Sequence, residues 1–172
     1  MKRRGALEIF GHASLAGLAT LTLGACGFKL RGAQNYAFQT LAILPNPGGA
    51  LSLELRRSLG GAVQVLGPGE PLNKAQAILD IIQEQREKTV VGVSTAGQVR
   101  EFQLRIRVKF RVRTPQGEEL VADAEIVQTR DISFNESAVL AKESEEALLY
   151  RDMQSDVVQQ VMRRLAAVTR LE

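Results

Sequence analysis

Hydrophobic positions along this chain change period several times, and each change marks an element. Phe28 to Gln39 is polar, contains Gly32 and carries no helical stripe, so it reads as a tether. Thr40 to Leu44 is a short apolar run stopped by Pro45-Asn46-Pro47-Gly48-Gly49, a buried strand followed by a loop. Leu51, Leu55, Leu59, Ala62, Val63 and Leu66 recur at helical spacing, with Gly60-Gly61 inside the run and Gly67-Pro68-Gly69 closing it. Each interior glycine costs such a helix about 1 kcal/mol.

From Ala75 the period shortens to that of strands. Ala77 to Ile82 is apolar on both faces apart from Asp80, as in a strand inside a sheet. Gln83 to Lys88 is polar on both faces, which predicts a strand running out beyond the packed region. Val90 to Val93 resumes it before Thr95-Ala96-Gly97 turns the chain. Next, Phe102, Leu104, Ile106, Val108, Phe110 and Val112 alternate with Gln103, Arg105, Arg107, Lys109, Arg111 and Arg113, giving one buried face and one wet, basic face. Pro115-Gln116-Gly117 is a turn, and Ala122, Ala124 and Ile126 alternate with Asp123, Glu125 and Thr129 in a further strand. Leu149, Met153, Val157, Val161, Leu165 and Val168 mark a second helix beginning near Ser144. Glu143, Glu145 and Glu146 lie at its expected start and Arg163, Arg164 and Arg170 near its end, matching the helix dipole. The order β-α-β-β-β-α predicts an α+β two-layer sandwich: a mixed four-stranded sheet with two helices on one face. The first β-α-β step is a parallel crossover and the later strands are antiparallel hairpins.

Ahead of this domain, Lys2, Arg3 and Arg4 give a basic start, interrupted by Glu8, and Ala13 to Leu23 is apolar but diluted by Ser14, Gly17, Thr20 and Thr22. Such a stretch is far short of the roughly 20 residues a helix needs to span a bilayer. Basic start, short apolar middle and small-residue exit describe a secretory signal segment. The exit, Leu23-Gly24-Ala25-Cys26, resembles the lipobox cut by the bacterial lipoprotein signal peptidase, whose Cys carries diacylglycerol before cleavage; the alternative is an apolar N-terminal helix with a buried Cys. On the lipobox reading residues 1–25 are a lipoprotein-type signal peptide, 26–39 a lipidated tether and 40–172 a single domain. The chain has 172 residues, and cleavage leaves 147 of them, with the net charge falling from +3 to about +1. Acyl chains on Cys26, each buried CH₂ contributing about 0.8 kcal/mol, anchor the protein to a membrane surface. Gly27, in place of an Asp that retains lipoproteins in the inner membrane, points to the outer membrane on its periplasmic side.

The composition then narrows the chemistry. With 45% hydrophobic and 24% charged residues the chain can bury a real core. It holds one Cys and one His, and cleavage consumes the first and discards the second, so no zinc set, disulfide scaffold or His-based triad can be assembled. No catalytic constellation, metal site or cofactor beyond the covalent diacylglycerol and N-acyl chain on Cys26 is expected, and the small mature charge argues against nucleic acid. The basic strand face has a structural reading first. In one register Arg111 faces Asp123 and Lys109 faces Glu125. In the other Lys109 faces Asp123 and Arg107 faces Glu125. Either forms a cross-strand ion-pair ladder worth a few tenths to about 1 kcal/mol per pair. Two acids cannot neutralise five bases, which leaves Arg105 and one of Arg107 and Arg111 as candidates for an anionic partner.

Cys26-Gly-Phe-Lys-Leu-Arg-Gly32 after the lipobox, Ala96-Gly97-Gln98 leading to Glu101-Phe102-Gln103, and Val139-Leu140-Ala141-Lys142 before the last helix appear in that order. With the β-α-β-β-β-α pattern, this chain resembles the LPS-assembly lipoprotein family LptE. The resemblance implies a non-enzymatic outer-membrane lipoprotein that plugs the LptD β-barrel, assists its assembly, binds lipopolysaccharide and delivers it to the outer leaflet. It places Lys142 at a family position implicated in lipopolysaccharide binding. The second basic position expected at the hairpin is Thr95 here, so Arg100 or Arg105 substitutes for it, with Arg107 as a further candidate. The alternative is a generic periplasmic lipoprotein module that binds another envelope protein.

Overall fold

The computed structural model describes residues 34–171, so the signal segment, Cys26 and the first part of the tether lie outside the described residues. The element order is β1 (Thr40–Leu44), α1 (Ala50–Leu59), β2 (Gln64–Val65), β3 (Ala77–Val93), β4 (Val99–Arg113), β5 (Glu119–Ser133) and α2 (Val139–Ala166), with short 3-10 turns at Leu72–Lys74 and Glu136–Ala138. The strands form one sheet in the order β2-β1-β3-β4-β5. β1 is parallel to both β2 and β3, while β3–β4 and β4–β5 are antiparallel hairpins. The α+β class and the parallel β1-α1-β3 crossover are as expected, but the sheet has five strands rather than four.

One face of the sheet carries the core. Leu41, Ile43, Leu79, Leu104, Ile106, Val108, Phe110 and Ile126 pack with Leu51, Leu55 and Leu59 of α1 and with Met153, Val157, Val161 and Leu165 of α2. Each such side chain stabilises the fold by about 1.5–3 kcal/mol on burial. Across the sheet, Ala42 and Ile78 form a smaller cluster with Leu66 and Ala75, both from the connection between β2 and β3. The rest of that second face is mostly polar, with Val127 exposed opposite Arg107.

The departures from the predicted elements have local causes. α1 ends at Leu59 with Gly60 as its cap, so Gly60-Gly61 terminates the helix instead of lying within it. Val63 and Leu66 still reach the interior, but through β2, whose ladder to β1 includes Gln64 N–H to Gln39 O at 2.8 Å and Leu66 N–H to Leu41 O at 2.9 Å. Arg56 locks this arrangement by donating to Leu66 O at 2.6 Å and Ile43 O at 3.3 Å. The tether ends earlier than expected, since Phe38 is buried and its ring lies 5.6 Å from that of Tyr36. β3 continues unbroken through the polar stretch to Val93, paired with β4 throughout except at bulges.

α2 starts at Val139, so Val139 to Lys142 lie inside it, and no acidic residue occupies its first turn; Arg163 and Arg164 do occupy its last. In the β4–β5 hairpin Lys109 opposes Glu125 and Phe110 opposes Ala124, but a bulge then brings Val112 opposite Val121 and Arg113 opposite Glu119. That shift turns Ala122 outward, away from the apolar face on which the alternation placed it.

Candidate functional site

Alternation along β4 places Arg105, Arg107, Lys109, Arg111 and Arg113 on the sheet face opposite the helices, as predicted. Their neutralisation differs from either predicted ladder. Arg105 pairs with Glu87 at 3.4 Å and Arg107 with Glu125 at 3.3 Å, diagonally across the hairpin. Arg111 and Arg113 both hold Asp80, at 3.0 and 2.8 Å. Burial raises the Asp80 pKa, and the hydrogen bonds from Arg113 and Arg111 outweigh it, leaving the carboxyl below its ordinary value. β3 thus supplies two of the acids, and the positive excess expected from β5 alone is largely cancelled; Lys109 makes no ion pair among the described residues.

The four basic residues assigned to lipopolysaccharide fall on both sides of the sheet. Arg105 and Arg107 lie on the open face. Lys142 lies on the helix side, on α2, where its Nζ donates to Ser133 Oγ at 3.0 Å and pairs with Glu145 at 2.8 Å. It lines a cleft of about 220 Å³ together with Lys88, Phe102, Phe134 and Glu146. Phe102 and Phe134 meet edge to face at 5.2 Å. Lys88 Nζ sits 4.3 Å from the Phe102 ring centroid and 2.6 Å from Glu146 Oε2. Arg100 is exposed beside the hairpin end, with Nη2 donating to Gln98 Oε1 at 3.3 Å and no carboxylate partner among the described residues. Thr95 lies in the adjoining turn, in which Gly97 adopts φ +78°.

Sequence reasoning missed Lys88. The polar stretch gave no sign of which side faced the helix; only the pairing of Lys88 with Leu104, after the bulge between Ile81 and Gln83, turns it toward α2. Further along α2, the Tyr150 hydroxyl donates to Glu87 O at 2.7 Å. Burial, reinforced by the nearby Glu146 charge, raises the pKa of that phenol.

The two-layer fold that carries this polar sheet face and small cleft is shared with bacterial lipoproteins. It superimposes with a TM-score of 0.71 and 36% identity on the solution NMR structure of an uncharacterized lipoprotein B from Nitrosomonas europaea, covering 83% of this chain and 92% of that one. The crystal structure of rare lipoprotein B from Shewanella oneidensis shares the fold, with a TM-score of 0.62 and 23% identity over 74% of this chain and 94% of that one. The family model for LptE, lipopolysaccharide-assembly, matches residues 38–165, and the chain belongs to that family. Among its relatives, the LPS-assembly lipoprotein LptE of Yersinia enterocolitica is 29% identical over 157 residues, 90% of this chain and 74% of that protein.

Proposed function

We propose that this chain is a non-enzymatic outer-membrane lipoprotein, held by acyl chains on Cys26 at the periplasmic side, that plugs the LptD β-barrel and assists its assembly. In that setting it binds lipopolysaccharide and takes part in its delivery to the outer leaflet. Family membership supports the role in lipopolysaccharide assembly. The observation that carries the plug reading is the open sheet face. It is broad and charged, and four of the five β4 bases on it are held by Glu87, Glu125 and Asp80, so most of its charge can meet the polar interior of a barrel already paired.

Lys142, Arg100, Arg105 and Arg107 are the proposed contacts for lipid phosphates, which accept charge-assisted hydrogen bonds from such groups. Arg100 is exposed and without a carboxylate partner among the described residues, and Lys142 can be released from Glu145, since that half-exposed partner makes a pair worth at most about 1 kcal/mol.

Two measurements test the reading. The tagged, lipidated protein extracted from outer membranes with detergent is expected to arrive with a near-equimolar β-barrel of the LptD type. Arrival alone, or with a soluble partner, would replace the plug by a generic envelope-protein module. Replacing Lys142, Arg100 and Arg105 together by Ala is expected to weaken lipopolysaccharide capture while leaving the far-ultraviolet spectrum intact. Unchanged capture would remove these residues from the site.

A further inference from the structure

A second cleft, of about 550 Å³, opens on the helix side of the sheet between α1, α2 and β3, away from Lys142. Arg57, Arg86 and Arg151 line it, and Glu54 is the one carboxylate among its lining residues. The three guanidiniums differ from Arg105, Arg107, Arg111 and Arg113 of the open face in having no carboxylate partner among the described residues. Glu54 does not neutralise them either: its two oxygens accept from Gln154 Nε2 at 2.6 Å and Ser155 Oγ at 2.7 Å. Arg86 is also fixed in place, since Nη2 donates to the same Gln154 and its guanidinium carbon stands 5.5 Å from the centroid of the Tyr150 ring. A planar fork held by a hydrogen bond and a ring face loses little freedom when it binds an oxyanion.

We propose that this cleft is a binding site for a phosphate monoester carried on a small polar body. Three guanidiniums against one carboxylate leave a charge of about +2, which matches the dianionic ester at neutral pH. The volume exceeds what a bare phosphate fills, and the remaining lining of amide and hydroxyl suits a hydroxylated carrier such as a sugar. No large apolar side chain lines the cleft, so an acyl chain gains nothing there. Arg86 belongs to the stretch that is polar on both strand faces, and this site gives its helix-facing charge a use.

The full chain, with its arginine side chains ¹⁵N-labelled, is titrated in detergent with inorganic phosphate and separately with glucose 6-phosphate. Sodium chloride at equal ionic strength is the reference. Saturable shifts of the Nε–H signals of Arg57, Arg86 and Arg151 are expected. Binding of glucose 6-phosphate about tenfold tighter than phosphate is expected and identifies a sugar-phosphate headgroup as the source of the ligand, whereas equal binding would overturn the carrier and leave a free-phosphate site. Arg57→Ala and Arg151→Ala, both exposed and easily tolerated, are each expected to weaken binding about tenfold. Lys142→Ala is expected to leave it unchanged, which separates this site from the proposed lipopolysaccharide contacts. Shifts that merely follow the sodium chloride reference, or a response that survives the Arg57→Ala/Arg151→Ala pair, would overturn the proposal.

Discussion

Asp80 interrupts an otherwise apolar strand segment, and the structure explains it by two arginines two residues apart on the neighbouring strand, both aimed at one carboxylate. Asp80→Asn is expected to cost about 1–2 kcal/mol at neutral pH, measured by urea denaturation, because both guanidiniums lose a charged acceptor. Since its folded pKa is lowered, this stabilisation is complete above the ordinary carboxylate range and is lost as pH falls through the folded value. The difference between the parent and Asp80→Asn should therefore shrink below about pH 4, and a constant difference down to pH 2 would contradict the clamp. Tyr150 makes a second single-residue prediction. Tyr150→Phe removes only the hydroxyl that ties α2 to the Glu87 carbonyl, so a loss of about 1 kcal/mol in the same experiment is expected.

At the scale of elements, both hairpins use the same turn chemistry. Ser94 and Thr114 each accept from a glycine N–H three residues on, at Gly97 and Gly117, and each donates its own N–H to the carbonyl of residue Gln98 or Glu118. The hydroxyls of Ser94 and Thr114 then accept from the N–H groups of Gln98 and Glu118, at 3.2 and 3.1 Å. The glycines take φ values of +78° and +98°, where a Cβ is strained although nothing crowds it. Gly97→Ala and Gly117→Ala are each expected to lower stability by about 1–2 kcal/mol, read from thermal midpoints, with unchanged strand content.

These turns were legible because Gly with small polar neighbours between two alternating runs admits few readings. The alternation of β4 was legible for the same reason. The end of α1 was not, since Val63 and Leu66 fall at helical spacing yet are buried from either side of the two-residue strand β2. The start of α2 was hidden because its first fourteen residues bury no side chain and so leave no stripe. For the candidate site, Lys142 could be placed on the sequence, but its neighbours could not. A bulge decides which way Lys88 and Arg86 point, and a bulge has no periodic signature.

Across residues 34–171 the stabilising groups are unevenly distributed. Every buried residue of α2 lies at or after Met153, and β3 buries none after Leu79. Beyond Ile82, β3 itself adds no side chain to the core that Leu104, Ile106 and Val108 of β4 still line, and it is held by its ladder to β4, the Lys88–Glu146 and Arg105–Glu87 pairs and the Tyr150 hydrogen bond. Exposed pairs contribute up to about 1 kcal/mol apiece, against about 1.5–3 kcal/mol for each buried side chain at the start of β3. Local opening of the polar half therefore costs less than global unfolding. In native-state hydrogen exchange, paired amides of residues 84–90 are expected to exchange with an opening free energy at least about 2 kcal/mol below that of Leu79 and Phe110. Uniform protection along β3 would show that the hairpin ladder, and not the core beneath it, sets local stability. Both clefts border this softer half, through Lys88 in one and Arg86 in the other. Occupancy of either should raise protection between residues 84 and 90 while leaving Phe110 unchanged, because a ligand stabilises only those openings that destroy its site. The strand that reads as polar on both faces is thus the element through which binding on the helix side would be felt.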